Sequence, residues 1–362
     1  MRLLSSILVT GGYGFIGSNF IRHLFEQFDF SGKIVNLDAL TYAGNPENLK
    51  DIASKYPDRY FFERGDIRDR KLVESLFKKH SIDTVVHFAA ESHVDRSISD
   101  PEAFISTNVL GTFTLLDVAC FVWKEKFGEE WESKVLFHHV STDEVYGSLG
   151  GTGYFKENTL YDPHSPYSAS KAASDHLVMA YHYTYGLPTT LSNCSNNYGP
   201  YQFPEKLIPL MVLNMLEGKP LPVYGDGKNI RDWVYVEDHN AALWLIMRKG
   251  RSGEKYNIGG ENEWENIRLV RRLVEIVAEE SGNKESELAK LITYVRDRPG
   301  HDRRYAIDCS KIKSELGWKQ SLSFDAGLRK TVRWYLDNKD WCTRVRSGEY
   351  QKWIAENYGE RI

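Results

Sequence analysis

The chain has 362 residues, 41% of them hydrophobic and 27% charged, a balance typical of a globular protein with one large or two closely packed domains. Its 46 basic and 50 acidic residues give a formal net charge of −4, so no excess of positive charge indicates binding to nucleic acid or to an anionic membrane. The most apolar stretch, 208–216, is too short to span a bilayer, and residues 1–6 lack the features of a secretory signal. The four cysteines are too scattered for a zinc site or a disulfide framework, so we expect buried free thiols, no metal site and a cytoplasmic location.

The first half of the chain alternates short apolar segments with longer amphipathic ones. Residues 7–9 form an apolar strand that leads into a glycine cluster, and apolar residues then recur every fourth position from Ile16 to Phe28, as on the buried face of a helix. Further strands are predicted at 34–37, 60–62, 84–88 and 135–140. A long helix is predicted before the last of these strands, with one side formed by Ile105, Val109, Phe113 and Leu116. Strands that alternate with helices predict an α/β fold with a Rossmann-type, doubly wound parallel sheet.

The turn between the first strand and the first helix, 10–17, has the sequence TGGYGFIG, which contains both G-x-G-x-x-G and G-x-x-G-x-x-G. Glycines allow a tight turn and close approach of a pyrophosphate, whose charge is then stabilised by the helix N-terminus. Asp38 closes the second strand, 21 residues after Gly17, where a carboxylate can bind ribose hydroxyls and repel a 2′-phosphate. This order of features predicts dinucleotide binding and favours NAD over NADP. Asp66 and Ile67, after the third strand, either flank the adenine or form an ordinary turn.

A later helix is delimited by the residues at its ends. Ser165 can act as the N-cap, and Pro166 fits the first helical position, where its missing N–H costs nothing. The helix is predicted to end at Tyr185, because a glycine and then Pro188 follow. A further strand is predicted at 188–192.

Two polar residues on this helix suggest chemistry. Tyr167 and Lys171 lie four positions apart, so their side chains share a face. A phenol is a poor base at neutral pH, but an adjacent ammonium stabilises the phenolate. Following a dinucleotide motif, this pair resembles that of the extended short-chain dehydrogenase/reductase family, in which it deprotonates a sugar hydroxyl during hydride transfer to NAD. Ser141 or Thr142, at the end of the preceding strand, would supply the usual hydroxyl partner.

Two acids, Asp143 and Glu144, directly follow Thr142. Epimerases of this family normally have small or apolar residues there, whereas two carboxyls offer a general acid and a general base for the elimination of water. The chain therefore resembles the nucleotide-sugar 4,6-dehydratases of the family over nearly its whole length, and most closely those that act on dTDP-glucose. The supporting motifs lie at 89–97, 193–200, 203–207, 222–224, 231–233 and 297–302, together with Asn266.

The resemblance implies a role for each residue at a matching position. Cofactor contacts are implied at Gly11, Gly14, Phe15, Ile16, Gly17, Asp38, Leu40, Thr41, Asp66, Ile67, Phe88, Ala89, Ala90, Ser92, Thr107, Tyr167, Lys171 and Asn197. Substrate contacts are implied at Ser92, Thr142, Asn196, Lys206, Leu207, Pro222, Tyr224, Arg231, Asn266, Arg298 and His301. Without the resemblance, Arg231 and Arg298 would be ordinary surface ion-pair residues; with it, their guanidinium groups bind the diphosphate.

The resemblance also implies a reaction cycle. Tyr167, supported by Lys171 and Thr142, removes the proton of the sugar 4-hydroxyl while the carbon-4 hydride passes to NAD. Glu144 then takes the carbon-5 proton, and Asp143 protonates the departing 6-hydroxyl. Return of the hydride to carbon-6 and of a proton to carbon-5 gives a 4-keto-6-deoxy sugar. The resemblance further implies a homodimer formed through the helices at 104–126 and 166–185.

The composition changes after residue 195, where turns rich in Pro, Gly and Asn interrupt helical stretches at 207–216 and 267–280. This change indicates a second, smaller α+β portion. We predict an NAD-binding Rossmann domain over 1–194, with 229–258 returning to it, and a nucleotide-sugar-binding domain over 195–228 and 259–362.

Two alternative interpretations stay open at this point. The first is a 4-epimerase, or a 4,6-dehydratase for another nucleotide sugar such as GDP-mannose, CDP-glucose or a UDP-sugar. The acid pair opposes the epimerase, whereas only the resemblance of the nucleotide pocket opposes the other dehydratases. The second is a catalytically silent NAD-sensing regulator on the same fold. Such a regulator should have lost the Tyr/Lys pair or the acids, and all four residues are present.

Overall fold

The structure, a computed structural model, describes residues 1–28, 30–297 and 300–347. Its strands are β1 (Ser6–Thr10), β2 (Lys33–Asp38), β3 (Tyr60–Arg64), β4 (Thr84–His87), β5 (Leu136–Thr142), β6 (Thr189–Cys194), β7 (Asn196–Tyr198), β8 (Leu221–Tyr224), β9 (Ile230–Tyr235), β10 (Glu254–Ile258), β11 (Glu263–Glu265) and β12 (Ile292–Val295). Its α-helices are α1 (Phe15–Glu26), α2 (Lys50–Lys55), α3 (Arg70–His80), α4 (Val94–Ser99), α5 (Pro101–Phe104), α6 (Thr112–Phe127), α7 (Trp131–Lys134), α8 (Pro166–Tyr185), α9 (Leu207–Glu217), α10 (Val236–Lys249), α11 (Asn266–Ser281), α12 (Glu285–Ala289), α13 (Ser310–Leu316), α14 (Phe324–Asp337) and α15 (Lys339–Ser347). Short 3₁₀ turns occupy Pro46–Leu49, Gly128–Glu130 and Asp143–Tyr146, and a π-helical segment, Ile105–Gly111, joins α5 to α6.

Seven strands form one fully parallel sheet in the order β10-β6-β5-β4-β1-β2-β3. The strand order reverses at β1, which has β2 on one side and β4 on the other. In sheets of this kind, ligands bind beyond the C-terminal ends of the strands at such a reversal. The doubly wound, Rossmann-type sheet predicted from the sequence is confirmed.

Alternate residues of the central strands point to opposite faces of this sheet. Ile7 and Val9 of β1 join a core with α1 and α10, whereas Leu8 joins a second core with α3, α6 and α8. All residues of β1 and β5 are buried. Strands covered on both faces read as continuous apolar runs, and such runs predicted most of this sheet.

The helical stretch before β5 differs from its prediction. Ile105 and Phe113 are 48% and 42% exposed, whereas Leu116 is fully buried. A π-helical turn holds more residues than an α-helical turn, so the segment Ile105–Gly111 shifts the phase of the apolar stripe. The four apolar residues expected on one side of this helix therefore do not form a single buried face.

The stretch Pro101–Lys134 is long and apolar enough to cross a membrane when judged by length and composition alone. However, 56% of its most apolar window is buried inside the protein, where α6 packs against α3 and α8. A core helix that covers a sheet also meets these criteria of length and composition, and α6 packs as such a core helix.

The helix α8 has the ends predicted for it. The Ser165 hydroxyl accepts from the Ser168 N–H at 3.0 Å, and the Ser168 hydroxyl accepts from the Ser165 N–H at 3.0 Å, which completes a capping box. Gly186 ends the helix in the left-handed conformation, with φ of 72°. These caps define the first and last residues of α8, the helix that carries Tyr167 and Lys171.

A third core surrounds α9, α11 and α14 and packs against two small sheets, β11-β9-β7 and β12-β8. Because β9 belongs to one of these small sheets, the chain returns to the large sheet only with α10, which packs on α1, and with β10, which pairs with β6. The predicted free, buried thiols are confirmed at Cys120, Cys194, Cys309 and Cys342.

Candidate active site

One cavity of about 550 Å³ opens at the C-terminal ends of β1, β2, β4 and β5. All five implied catalytic residues line it: Thr142, Asp143, Glu144, Tyr167 and Lys171. Every implied cofactor contact lines it except Leu40, namely Gly11, Gly14, Phe15, Ile16, Gly17, Asp38, Thr41, Asp66, Ile67, Phe88, Ala89, Ala90, Ser92, Thr107, Tyr167, Lys171 and Asn197. Parallel strands that neighbour one another end at the same edge, and this brings the residues together from distant parts of the chain.

The glycine turn between β1 and α1 forms one wall of the cavity from backbone atoms. A Cβ atom on Gly11 would lie 2.8 Å from the Ala89 Cα, and one on Gly17 would lie 2.4 Å from the Gly11 carbonyl oxygen. Gly11 also has φ of 70°, which favours glycine. Gly14 is the N-cap of α1 and provides no side chain to bond the first-turn N–H groups. The first turn of α1 therefore directs N–H groups that no N-cap side chain bonds toward the cavity, as a pyrophosphate requires.

Asp38 at the end of β2 is buried and held in place by backbone. Its Oδ2 accepts from the Tyr13 N–H at 2.9 Å, and its Oδ1 accepts from the Leu40 N–H at 2.8 Å. Burial raises the pKa of Asp38, and these two N–H groups oppose that shift. Leu40 has φ of 56° and contributes its N–H to this arrangement, but its side chain is buried and does not line the cavity.

Lys171 lies one turn after Tyr167 on α8 and is 4% exposed. Its Nζ donates to the Val140 carbonyl at 2.9 Å. Burial lowers the pKa of Lys171 to about 8, against the opposing charge of Asp175. For Tyr167, burial and the Glu144 carboxylate raise the pKa well above its usual value, and a hydrogen bond with Thr142 lowers it. The pair therefore combines a half-buried tyrosine with a buried ammonium whose pKa is about 8.

The acid pair begins the 3₁₀ turn that follows β5. The Thr142 hydroxyl donates to Asp143 Oδ1 at 3.4 Å and accepts from the Glu144 N–H at 3.2 Å. Asp143 is 2% exposed, and its Oδ2 is buried with no hydrogen-bond partner among the described residues. Burial first and the Glu144 charge second raise the pKa of Asp143 well above its usual value. Asp143 is thus suited to carry a proton at neutral pH, beside a carboxyl that is half-buried.

The implied substrate contacts divide into two groups. Ser92, Thr142, Asn196 and Lys206 line the cavity with the catalytic residues. The remaining described contacts lie outside its lining: Leu207, Pro222, Tyr224, Arg231, Asn266 and His301. Among the latter, the Tyr224 and His301 rings lie 6.2 Å apart. Arg298 falls outside the described residues.

Arg231 on β9 connects this second group with the acid pair. Its guanidinium donates to the carbonyls of Ile230 at 2.7 Å and Asp302 at 2.9 Å, and it lies 4.2 Å from the centre of the Tyr305 ring. Its positive charge lowers the pKa of Asp143, although burial outweighs this effect. Arg231 therefore acts electrostatically on Asp143.

Two residues that line the cavity, Tyr42 and Glu205, were not among the contacts implied from the sequence. The Tyr42 hydroxyl donates to Glu205 Oε1 at 3.0 Å, and the Arg96 guanidinium lies 3.6 Å from the Tyr42 ring centre and 3.5 Å from Glu205. Tyr42 and Glu205 are 163 residues apart and belong to no shared local motif. Asp175 could have been found, because it lies four residues beyond Lys171 on the same helix face.

This fold and site define a member of the nucleotide-sugar dehydratase class within the extended short-chain dehydrogenase/reductases. A family model described as GDP-mannose 4,6 dehydratase matches residues 8–331, and the chain belongs to that family. Within it, the chain is 54% identical over 364 residues to the dTDP-glucose 4,6-dehydratase of Salmonella typhimurium, with 98% of this chain and 99% of that relative covered. The resemblance to dTDP-glucose 4,6-dehydratases is confirmed.

Solved structures give the same result for the fold. The dTDP-glucose 4,6-dehydratase of Bacillus anthracis, in complex with NAD, is 46% identical with a TM-score of 0.83, covering 94% of this chain and 99% of that one. The UDP-glucose 4-epimerase of Thermotoga maritima is 30% identical with a TM-score of 0.79, covering 92% and 99%. Because epimerases share this fold, the fold alone does not separate the two reactions, and the acid pair has to do so.

Proposed function

We propose that the protein is an NAD-dependent lyase that converts dTDP-glucose to dTDP-4-keto-6-deoxyglucose and water within one turnover. The observation that carries this proposal is the placement of Asp143 and Glu144 beside Tyr167 and Lys171 in one cavity. Oxidation at carbon-4 needs only the Tyr/Lys pair, whereas elimination of water also needs a general acid and a general base.

The glycine turn and Asp38 fit NAD. The first-turn N–H groups of α1 would hold the pyrophosphate beside Gly14, where an added Cβ would meet only the Gly11 carbonyl oxygen, at 3.3 Å. Asp38 would accept hydrogen bonds from the ribose hydroxyls and repel the 2′-phosphate of NADP. When bound, NAD accepts the hydride of carbon-4 and returns it to carbon-6.

Tyr167 is the base of the oxidation step. Its phenol hydrogen-bonds with Thr142, and the Lys171 ammonium lies one helical turn away. Both groups favour the phenolate over the phenol. The phenolate removes the proton of the sugar 4-hydroxyl, and the resulting 4-keto group makes the proton on carbon-5 acidic.

The acid pair performs the elimination. Glu144 removes the carbon-5 proton, and Asp143, which its environment keeps protonated, donates to the departing 6-hydroxyl. The buried Asp143 Oδ2, without a protein partner among the described residues, can meet that hydroxyl. Glu144 then returns a proton to carbon-5, and this proton can exchange with solvent before it is returned.

The second group of substrate contacts would bind the nucleoside diphosphate. Arg231 and Arg298 would contact the phosphates, with Lys206 and Asn196 nearer the sugar. Tyr224, His301, Pro222, Leu207 and Asn266 would surround the base and its ribose. The preference for thymidine over guanosine or cytidine rests on this group.

The decisive experiment offers the protein a panel of nucleotide sugars and follows the products by mass spectrometry. We expect dTDP-glucose to lose one water, with no net consumption of NAD. A product of unchanged mass would indicate a 4-epimerase, and faster dehydration of GDP-mannose or CDP-glucose would move the proposal to another substrate. No change in any sugar, with NAD bound, would favour the silent sensor.

An isotope experiment tests whether the cycle closes on one sugar. Substrate deuterated at carbon-4 is mixed with substrate whose sugar is labelled with ¹³C throughout. The deuterium should appear at carbon-6 only in the ¹²C product. Deuterium in the ¹³C product would show that the hydride escapes between molecules, as it would in a simple dehydrogenase.

Three broader assignments belong to the same proposal. The exposed apolar residues Ile105, Leu110, Phe113, Phe121, Tyr183 and Tyr185, on the π-helical segment, α6 and α8, suit a homodimer interface, which light scattering would test. A cytoplasmic location and a place in deoxysugar biosynthesis, such as the rhamnose pathway, fit the product. The NAD-binding domain would comprise 1–194 with α10 and β10, and the sugar-binding domain would comprise 195–228, β9 and 259–362.

A further inference from the structure

A buried polar cluster lies one helical turn beyond Lys171. Lys171 Nζ lies 3.3 Å from His139 Nε2, and the same nitrogen of His139 lies 3.3 Å from Asp175 Oδ1. His139 is fully buried, and Asp175 is 1% exposed. Tyr167, Lys171 and Asp175 thus succeed one another at four-residue intervals on α8, with His139 of β5 between the last two.

The other carboxylate oxygen of Asp175 is held by three donors. Its Oδ2 accepts from the Tyr161 hydroxyl at 2.8 Å, the Ser141 hydroxyl at 2.9 Å and the Asn193 amide at 3.3 Å. Burial raises the pKa of Asp175, and the Lys171 ammonium and these three donors lower it. Three donors on one oxygen suit an ionised carboxylate, which only accepts hydrogen bonds.

Few other charges are available to balance Lys171. The titratable groups that face this cluster from the surrounding elements are His87 of β4, His139 of β5, Tyr146 and Tyr161 after β5, Cys194 of β6 and Lys255 of β10. Burial keeps the pKa values of both histidines well below their usual range, and it raises the pKa of Cys194 to about 12. Among the described residues whose charge acts on Lys171, Asp175 is therefore the one carboxylate, and its three donors favour the ionised form.

We propose that Asp175 is a positioning residue, the buried counter-charge that keeps Lys171 cationic beside Tyr167, and that His139 spaces the two groups. A buried ammonium that loses its counter-charge gives up its proton more easily. A neutral Lys171 would no longer stabilise the phenolate of Tyr167. The inference rests on the proposed function of the Tyr167–Lys171 pair, but the Asp175–Lys171 coupling itself can be measured without any substrate.

The test compares Asp175→Asn with Tyr161→Phe in the full chain. The first variant removes the charge with little change of shape, and the second removes one hydrogen bond to the same carboxylate but keeps its charge. The first measurement is the titration of Lys171 by NMR with ¹⁵N-labelled lysine, assigned with Lys171→Arg. The second is the pH profile of dTDP-glucose turnover.

Because Lys171 acts as a cation, activity falls as the pH rises through its pKa, and a lower pKa moves that fall to lower pH. The wild-type midpoint is expected at about 8. In Asp175→Asn the midpoint and the alkaline limb of the profile should both fall by about one pH unit or more, as loss of a close opposite charge predicts. In Tyr161→Phe both should stay near their wild-type values.

The controls separate charge from folding. Asp175→Glu restores the charge and should bring the midpoint back toward the wild-type value, whereas Asp175→Ser should behave like Asp175→Asn. An unshifted Lys171 midpoint in the charge-free variants, or loss of folding in both of them, would overturn the proposal in favour of a structural role. If the wild-type protein dehydrates no sugar, the proposed function fails, while the NMR titration still decides whether Asp175 controls Lys171.

Discussion

On the β1–α1 side of the cavity, the wall is made of backbone. Gly11 and Gly17 leave no room for a Cβ, and even the Asp38 carboxylate is held by two backbone N–H groups. On the β5–α8 side, the wall is made of side chains that ionise, buried at Asp143 and half-buried at Tyr167, and the pKa values of both are shifted well away from their usual range. The first side depends on backbone that carries no side chains, and the second depends on ionisable side chains whose surroundings shift their pKa values.

This difference determines which changes should do harm. On the backbone side, added atoms should weaken binding and folding while the chemistry of any bound substrate stays intact. On the side-chain side, removal of one polar atom should stop a single step and leave the fold in place.

Tyr167→Phe should give the largest loss. The change removes the one oxygen that can deprotonate the 4-hydroxyl, so turnover should fall roughly 10²- to 10⁴-fold or more, and no NADH should form. Stopped-flow absorbance at the NADH band checks this. NAD affinity and the thermal unfolding curve should stay close to those of the wild type, and a burst of NADH in the variant would exclude Tyr167 as the base.

Glu144→Gln should separate oxidation from elimination. The variant retains the Tyr/Lys pair, so NADH and a 4-keto sugar should accumulate on the enzyme, while product formation falls roughly 10²- to 10⁴-fold. Asp143→Asn is the matched variant: it should also accumulate NADH, but Glu144 should still exchange the carbon-5 hydrogen with deuterated solvent. Near-normal dehydration by Glu144→Gln would mean that another group is the base.

The same contrast explains what could be predicted from the sequence. The glycine turn and the acid that follows β2 are local patterns, because a strand, a tight turn and a helix are contiguous in the chain. The Tyr/Lys pair was also local, on one helix face. The contacts of Asp175 with β5 and β6, and of Tyr42 with Glu205, arise only when distant elements meet.

The prediction for the helix before β5 was incomplete for a different reason. A π-helical segment changes the phase of a helix without any composition signal, and it leaves Ile105 and Phe113 exposed. Likewise, no local pattern indicates that β9, which lies within 229–258, pairs with β7 and β11 in a small sheet. Local periodicity determines where each helix or strand forms, whereas the packing of distant segments determines which elements lie beside it.

Gly17→Ala and Gly14→Ala should distinguish a clash within the protein from a clash with the cofactor. A Cβ on Gly17 would lie 2.4 Å from the Gly11 carbonyl oxygen, so we expect a loss of about 1–3 kcal/mol in the free energy of unfolding as well as weaker NAD binding. A Cβ on Gly14 meets only the Gly11 carbonyl oxygen, at 3.3 Å, so its cost should appear mainly in NAD affinity. Urea unfolding and calorimetric titration with NAD measure the two effects, and equal losses of stability in both variants would contradict this distinction.

Asp38→Asn should weaken NAD binding roughly tenfold or more, the usual cost of losing a hydrogen bond to a charged group. It should also relax the discrimination against NADP, since the negative charge that repels the 2′-phosphate is gone. Calorimetry with both cofactors checks this. Asp58→Asn is the control, because that carboxylate is exposed and lies outside the cavity lining. Equal affinity of the wild-type protein for NAD and NADP would contradict the role of Asp38.

The smallest expected effect tests how the side-chain wall depends on where α8 begins. Ser165→Ala removes the hydroxyl that accepts from the Ser168 N–H, so the free energy of unfolding should fall by about 1 kcal/mol. Ser323→Ala removes the equivalent cap of α14, which bonds the Ala326 N–H at 3.3 Å and carries no residue of the cavity. The two variants should lose similar stability, but only Ser165→Ala should lower the turnover number, because Tyr167 lies two residues after the lost cap. Turnover that falls equally in both variants would show that activity follows global stability and not the placement of the first turn of α8.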